Sequence, residues 1–298
     1  MDKLIECVPN FSEGRDREKM ERIVAPFRGR TGVRLLDYQA DADHNRMVVT
    51  AIGEPAALAA AVVEAVGEAV AVIDMTTHTG QHPRMGACDV VPFVPVRNIE
   101  MADAVAVSKE MAAALADRFN LPVFLYEESA GRPERRGLAA IRKGQFEGMA
   151  EKLRSPDWRP DYGPSTVHPS AGVTAVGARM PLVAFNVNLG TPDLAVADAI
   201  ARRVRHIGGG LRYCKGIGVA LADRGIVQVS MNLTDFTRTA LYTALELVRV
   251  EARRYGVPVV GSEIVGLVPM AALIDSAVYY MGIEDFSSDQ VLEARLLE

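Results

Sequence analysis

The chain has 298 residues, 49% of them hydrophobic and 24% charged, with a net charge of -5, a composition that suits a globular protein large enough for one big domain or two small ones. Its basic residues are not gathered into runs interleaved with aromatics, which excludes a nucleic-acid footprint and favours a small-molecule partner. Cys7, Cys88 and Cys214 are odd in number and far apart, so they form neither a disulfide framework nor a C-x-x-C metal site, and a reducing, cytoplasmic setting is expected.

The first residues carry no basic segment followed by an apolar run, and no stretch approaches the roughly 20 apolar residues that cross a bilayer. Secretion and membrane spanning are therefore not expected. In chain order, apolar runs predict strands over Leu4 to Phe11, Val33 to Tyr38 and Met47 to Ile52, then an alanine- and valine-rich helix from Pro55 to Ile73 with Glu64 and Glu68 on its polar side. The polar segment Asp74-Met-Thr-Thr-His-Thr-Gly-Gln-His-Pro-Arg-Met-Gly-Ala-Cys-Asp89 follows as a loop, and loops held on rigid scaffolds carry much of protein chemistry. Next come a strand over Val90 to Val96, a helix from Met101 to Phe119 and a strand over Pro122 to Tyr126.

Ser155 to Gly172 is dense in Pro, Gly and Ser and too irregular for helix or strand. It reads either as a plain linker or, through Trp158, Tyr162 and His168, as the lining of a groove between two domains. Beyond it the order is strand Leu182 to Leu189, helix Asp193 to Ile207, strands Tyr213 to Ala222 and Ile226 to Leu233, helix Thr239 to Tyr255 and strand Val257 to Ser262. That is the ferredoxin-like β-α-β-β-α-β order.

The chain also echoes itself. Ala116-Asp-Arg-Phe-Asn-Leu-Pro-Val-Phe124 resembles Ala252-Arg-Arg-Tyr-Gly-Val-Pro-Val-Val260, and Gly53-Glu-Pro55 with its helix resembles Gly190-Thr-Pro192 with its helix, at offsets of 136 and 137. The expected fold is α+β: two ferredoxin-like subdomains from an internal duplication, residues 1–178 and 179–298, packed to form a substrate cleft. The first copy is read as opening near Met47, with an earlier strand-helix-strand addition before it.

His82 sits in a turn-rich loop next to Pro83 and Arg84, which marks it as a candidate for proton transfer. Zinc binding by His78 and His82, four apart, is the rival reading, but Thr79, Gly80 and Pro83 disfavour the helix that would align them. Gly208-Gly-Gly210 precedes a strand where a phosphate loop would precede a helix, and no G-x-S-x-G elbow occurs, so nucleotide binding and serine acyl-enzyme chemistry are not expected. Arg46, Arg84, Arg179 and Lys215 stand at strand ends or in loops, as candidate carboxylate binders.

Together these stretches resemble the glutamate formimidoyltransferase family along essentially the whole chain: Cys7-Val-Pro-Asn-Phe-Ser-Glu-Gly-Arg15, Asn45-Arg46, His82-Pro-Arg-Met-Gly-Ala87, Asp89-Val-Val-Pro-Phe93, Gly177-Ala-Arg179, Gln228-Val-Ser-Met-Asn-Leu233 and Gly261-Ser-Glu-Ile-Val-Gly-Leu267. The resemblance implies transfer of a formimino group from N-formimino-L-glutamate to tetrahydrofolate as co-substrate, without a metal. It also implies a homodimer, with His82 catalytic and folate contacted by Gly163, Pro164, Ser165, Thr166, Val167, His168, Pro169, Ser170, Ala171 and Gly172. Vertebrate relatives fuse this domain to a cyclodeaminase, so a separate formiminotetrahydrofolate cyclodeaminase is expected to take over the product here.

One group with a pKa near 7 that accepts a proton from N5 and returns it to the departing amine would serve both steps, which assigns His82 as base and then acid. Asp37 or Asp89 is a candidate counter-charge for the cationic amidine. Formyl transfer between N-formylglutamate and 5-formyltetrahydrofolate, or folate binding without catalysis, are the alternatives.

Overall fold

The computed structural model describes residues 3–296 and divides into two compact units, one running to Arg179 and one from Met180. Each is a mixed α+β unit with its own sheet. In the first, β1 (Leu4–Cys7) and β2 (Asn10–Phe11) follow one strand path, interrupted at Val8-Pro9. Asp16 caps α1 (Arg17–Val24), its carboxylate accepting the Glu18 and Lys19 amides at 3.0 and 3.2 Å. β3 (Val33–Asp41) and β4 (Arg46–Gly53) pair antiparallel, and Met47, Val49 and Ala51 are buried at every second position of β4.

Proline at the first helical position opens α2 (Pro55–Val72). With 18 residues at a mean hydropathy of 1.7, this helix is long and apolar enough to cross a membrane, which the sequence reading did not allow for. Its Leu58, Ala61, Val62, Ala65, Val66 and Ala69 are nevertheless buried in the unit's core, while Glu64 and Glu68 pair with Arg30 and Arg22.

β5 (Cys88–Arg97), α3 (Met101–Phe119), β6 (Val123–Glu127), α4 (Leu138–Arg142), α5 (Gln145–Lys152) and β7 (Thr174–Ala178) complete the unit. The sheet runs β3-β4-β1/β2-β5-β7-β6, antiparallel as far as β5 and parallel beyond it. β5 is buried continuously from Cys88 to Val94, as befits a strand with neighbours on both sides in a covered sheet.

The second unit has β8 (Val183–Leu189), α6 (Leu194–Val204), β9 (Cys214–Leu221), β10 (Ile226–Leu233), α7 (Leu241–Arg254) and β11 (Val259–Val265) in the sheet order β11-β8-β10-β9, followed by α8 (Met270–Met281) and α9 (Leu292–Leu296). Val183, Phe185, Val187 and Leu189 of β8 pack into the core with Ala197, Ile200, Ala244 and Val248 of the helices. The intervening positions are polar: Gln228 Nε2 donates to Asn188 at 2.8 Å and to the Glu263 carboxylate at 2.5 Å, and Asn186 donates to Glu263 at 3.1 Å.

The strand frame of the first unit opens earlier than expected. A strand-helix-strand-strand-helix-strand path with the spatial order second, third, first, fourth is made there by β1/β2, α1, β3, β4, α2 and β5. The second unit has the same order. Arg46 and Ile226 open corresponding strands, 180 positions apart. The segment read as an addition is therefore the opening of the motif. β6, which the echo at Ala116 to Phe124 equated with β11, pairs with β7 and not with β4. The echoes mark strand-helix and helix-strand junctions of similar chemistry at different places in the sheets.

The irregular segment from Ser155 belongs to the first unit. Arg135, 1% exposed, donates to the Asp161 carboxylate at 3.0 Å and to the Asp157 and Arg159 carbonyls at 2.7 Å, and lies over the rings of Phe124 and Trp158. The end of the segment pairs with the loop after His82: the Ala87 amide donates to Ala171 at 2.8 Å and the Val173 amide to Met85 at 3.0 Å. This approach depends on two glycines. A Cβ on Gly86 would lie 2.1 Å from the Val173 carbonyl oxygen, and one on Gly172, whose φ is +74°, would lie 2.3 Å from that of Met85. Gly172→Ala is expected to cost at least the roughly 1–3 kcal/mol of a side chain forced into left-handed backbone, read as a lowered urea midpoint.

Candidate active site

Asp89, at the start of β5, is completely buried. Its Oδ1 accepts the Met85 amide at 2.9 Å, while Oδ2 accepts Arg46 Nη1 at 3.0 Å and Arg142 Nη2 at 2.5 Å. Burial alone would raise its pKa, but the charges of Arg142 and Arg46 outweigh that and hold the carboxyl below its ordinary 3.8. Two guanidiniums around one carboxylate leave an excess positive charge in a nearly dry place. Both Asp89 oxygens are taken, so it anchors arginines and is not placed to face a cationic amidine. Asp37 lies on β3, where its carboxylate accepts Gln39 Nε2 at 2.9 Å.

Arg46 is committed through both terminal nitrogens, Nη2 donating to Asn10 at 2.6 Å. It is delivered by Asn45, which takes a left-handed φ of 48°, accepts the Gly14 amide at 2.9 Å and donates to the Thr79 carbonyl at 3.0 Å. β4 and the histidine loop are thus stitched together beside Arg46.

His82 lies within the field of this cluster. Its Nδ1 is 2.7 Å from the Pro83 carbonyl oxygen; a carbonyl only accepts, so the proton sits on Nδ1 and Nε2 carries the lone pair. The His44 ring stands edge-on at 5.9 Å, and its own Nδ1 pairs with Asp41 at 2.8 Å. Burial, followed by Arg46 and Arg142, pushes the His82 pKa down to about 4. This departs from the near-neutral group expected from the sequence: burial first, and then the arginines that favour an anion in the site, oppose a proton on the ring.

Arg84 points elsewhere. Nη1 and Nη2 donate to the Glu147 carboxylate at 2.9 and 2.6 Å, Nη1 also to Gln145 at 3.0 Å, and Nε to His78 Nδ1 at 3.3 Å. It ties the histidine loop to α5. His78 Nε2 meets the Asn45 carbonyl at 3.0 Å, so both of its ring nitrogens are spent and none is left for zinc. Among the described residues no group of three or more His, Cys, Asp or Glu could hold a metal ion.

Arg179, after β7, has its amide on the Phe93 carbonyl at 2.9 Å and its side chain near Glu6 and Tyr126, farther along β5 than Asp89. Lys215 lies on β9 of the second unit. Of the segment Gly163 to Gly172, Gly163, Ser165, Thr166 and Pro169 are exposed, whereas Ala171 and Gly172 are buried against the histidine loop. His168 Nδ1 accepts the Ala171 amide at 3.0 Å and folds the turn back on itself. Trp158, expected as groove lining, packs instead on Phe124, Arg135 and Lys152.

Sequence reasoning did not single out Arg142. It lies at the end of the five-residue helix α4 in Leu-Ala-Ala-Ile-Arg-Lys-Gly, which has no motif character, and it meets Asp89 across 53 positions.

Comparison with known proteins accounts for the whole chain. Residues 4–179 match the formiminotransferase domain, N-terminal subdomain, and residues 184–295 match the formiminotransferase domain. A glutamate formimidoyltransferase of Streptococcus pyogenes is 53% identical over 298 residues, all of both chains, and one of Thermoplasma acidophilum is 43% identical over 98% of this chain and 97% of its own. A mouse formimidoyltransferase-cyclodeaminase is 45% identical over 94% of this chain and 53% of its own.

Asp89→Asn should cost about 3–5 kcal/mol, because two buried guanidiniums lose their charge partner, measurable by chemical denaturation. Since its folded pKa is depressed, the stabilisation due to Asp89 is present above the ordinary 3.8 and is lost as pH falls through the folded value. The wild type should therefore lose more stability than the variant on acidification across that range.

Proposed function

The chain belongs to the formiminotransferase family, and we propose that it acts as a glutamate formimidoyltransferase, moving the formimino group from N-formimino-L-glutamate to N5 of tetrahydrofolate and releasing L-glutamate. The observation that carries this is the relationship with glutamate formimidoyltransferases along the full chain, joined to a histidine with a free Nε2 beside a buried cationic cluster.

The formimino carbon is electrophilic as an amidinium, and N5 attacks it with its lone pair. The tetrahedral adduct carries a positive charge on N5, and His82 Nε2 takes that proton. The same proton then goes to the glutamate nitrogen as its bond to carbon breaks, so that L-glutamate leaves as the amine. Neutral His82 is competent for the first step at physiological pH; the second requires a site in which the imidazolium can form.

Gly163 to Gly172 is the folate-contacting segment in this reading, supported by the pairing of its end with the loop that carries His82. Arg46 supplies positive charge for substrate carboxylates, Arg84 holds the histidine loop, and Arg179 and Lys215 remain candidates for carboxylate contacts. The matching strand orders of the two units support descent from one ferredoxin-like unit by duplication. Three buried free cysteines fit a reducing, cytoplasmic setting, a homodimer is the proposed assembly, and a formiminotetrahydrofolate cyclodeaminase is the activity that consumes the product.

The test is a spectroscopic assay with tetrahydrofolate and either N-formimino- or N-formyl-L-glutamate. Formimino transfer should exceed formyl transfer, and His82→Ala should lower kcat by about 10²–10⁴-fold while folate binding is kept. No transfer from either donor by folded wild type would overturn the reading. The acid limb of kcat/KM should lie below the 6.5 of ordinary histidine, towards about 4.

A further inference from the structure

Arg142 is the cation of the cluster whose hydrogen-bonding capacity is only partly spent. Arg46 donates through both terminal nitrogens to Asp89 and Asn10. Arg142 donates only through Nη2, to Asp89, and its Nε is buried without any partner. A buried N–H left unpaired is costly, and the planar guanidinium fork matches a carboxylate. Its position is also firmly held: Lys152 Nζ donates to the carbonyls of Ala140, Ile141 and Lys143, on either side of Arg142, at 2.6, 2.5 and 3.2 Å.

We propose that Arg142 receives the α-carboxylate of the amino-acid donor and so places an anion among the charged groups around His82. This rests on the activity proposed above. The α-carboxylate is one carbon away from the nitrogen that must depart, whereas the carboxylates of tetrahydrofolate lie at the far end of its tail from N5. An anion next to His82 is therefore the donor's.

The groups that act on the ring are Arg46 from β4, Arg142 from α4 and Asp89 from β5, with His44 and its Asp41 partner alongside. Arg84 and Glu147 form a separate pair next to the loop. Burial and, after it, the two arginines that exceed the one carboxylate keep the ring neutral. A donor carboxylate on Arg142 offsets the excess arginine charge, the part of the opposition to an imidazolium that burial does not supply. Donor binding thus prepares the proton carrier, and a site without donor holds no proton ready for misplaced transfer.

The experiment follows His82 by NMR of histidine-labelled full-length protein, titrated with pH alone, with N-acetyl-L-glutamate and with its α-methyl ester. The acid is expected to raise the His82 pKa towards neutrality, and the ester to leave it where it was. In Arg142→Gln the pKa should start higher and no longer respond. The same variant should raise KM for N-formimino-L-glutamate by about tenfold to a hundredfold, the loss of one charged hydrogen-bonded pair, with KM for tetrahydrofolate unchanged and Arg142→Lys intermediate.

A His82 pKa that ignores the acid, or responds equally to the ester, overturns the proposal using wild type alone, whether or not the variants fold. A loss of tetrahydrofolate affinity in place of donor affinity overturns it as well. If wild type shows the acid-specific shift but transfers no formimino group, the carboxylate site stands and the proposed activity falls.

Discussion

The buried carboxylate of Asp89 is the point on which the first unit's chemistry hangs. Its two oxygens gather the Met85 amide four positions away and two cations from distant stretches, Arg46 at the start of β4 and Arg142 at the end of α4. Two guanidiniums would not remain side by side in a dry interior without an anion between them. With Asp89 there, the start of β5 fixes the histidine loop and both cations in one operation. The pairing of Gly86 with Gly172 follows, because Met85 is held immediately before it.

A second layer supports the first. Arg135 is buried under the linker and holds it by two carbonyls and one carboxylate. Lys152, pushed down to about 8 by burial and the nearby Lys143 and Arg135 charges, closes the end of α4 and lies 3.9 Å from the Trp158 ring centre. The aromatic residue that the sequence offered as a ligand platform is therefore part of the frame holding Arg142. Polar side chains do much of the packing in this region, and they set the orientation of the groups above them.

Much of this was legible in the sequence where a single local rule decides the outcome. β10 and α3 lie where periodicity put them, since each has one clear burial pattern and, for α3, a left-handed Asn120 to end it. His82 stood out through its proline and glycine surroundings. α4, α5 and β7 did not: five to eight residues are too few for a period to declare itself, and Gly177 interrupts the last. The strand order that both units share was framed from the wrong strand in the first, because a glycine and proline at a strand-helix junction recur wherever such junctions occur. Arg142 was invisible for a more basic reason. Its significance is a contact with Asp89 that exists only after folding, and nothing in its neighbours announces it.

His82 gives one nitrogen to its own loop and keeps the other. A histidine open on both sides can relay, taking a proton at one nitrogen and releasing a different one from the other. This ring is a cul-de-sac. In the mechanism proposed above, a proton taken at Nε2 has no second ring nitrogen to leave by and must depart from Nε2 as well.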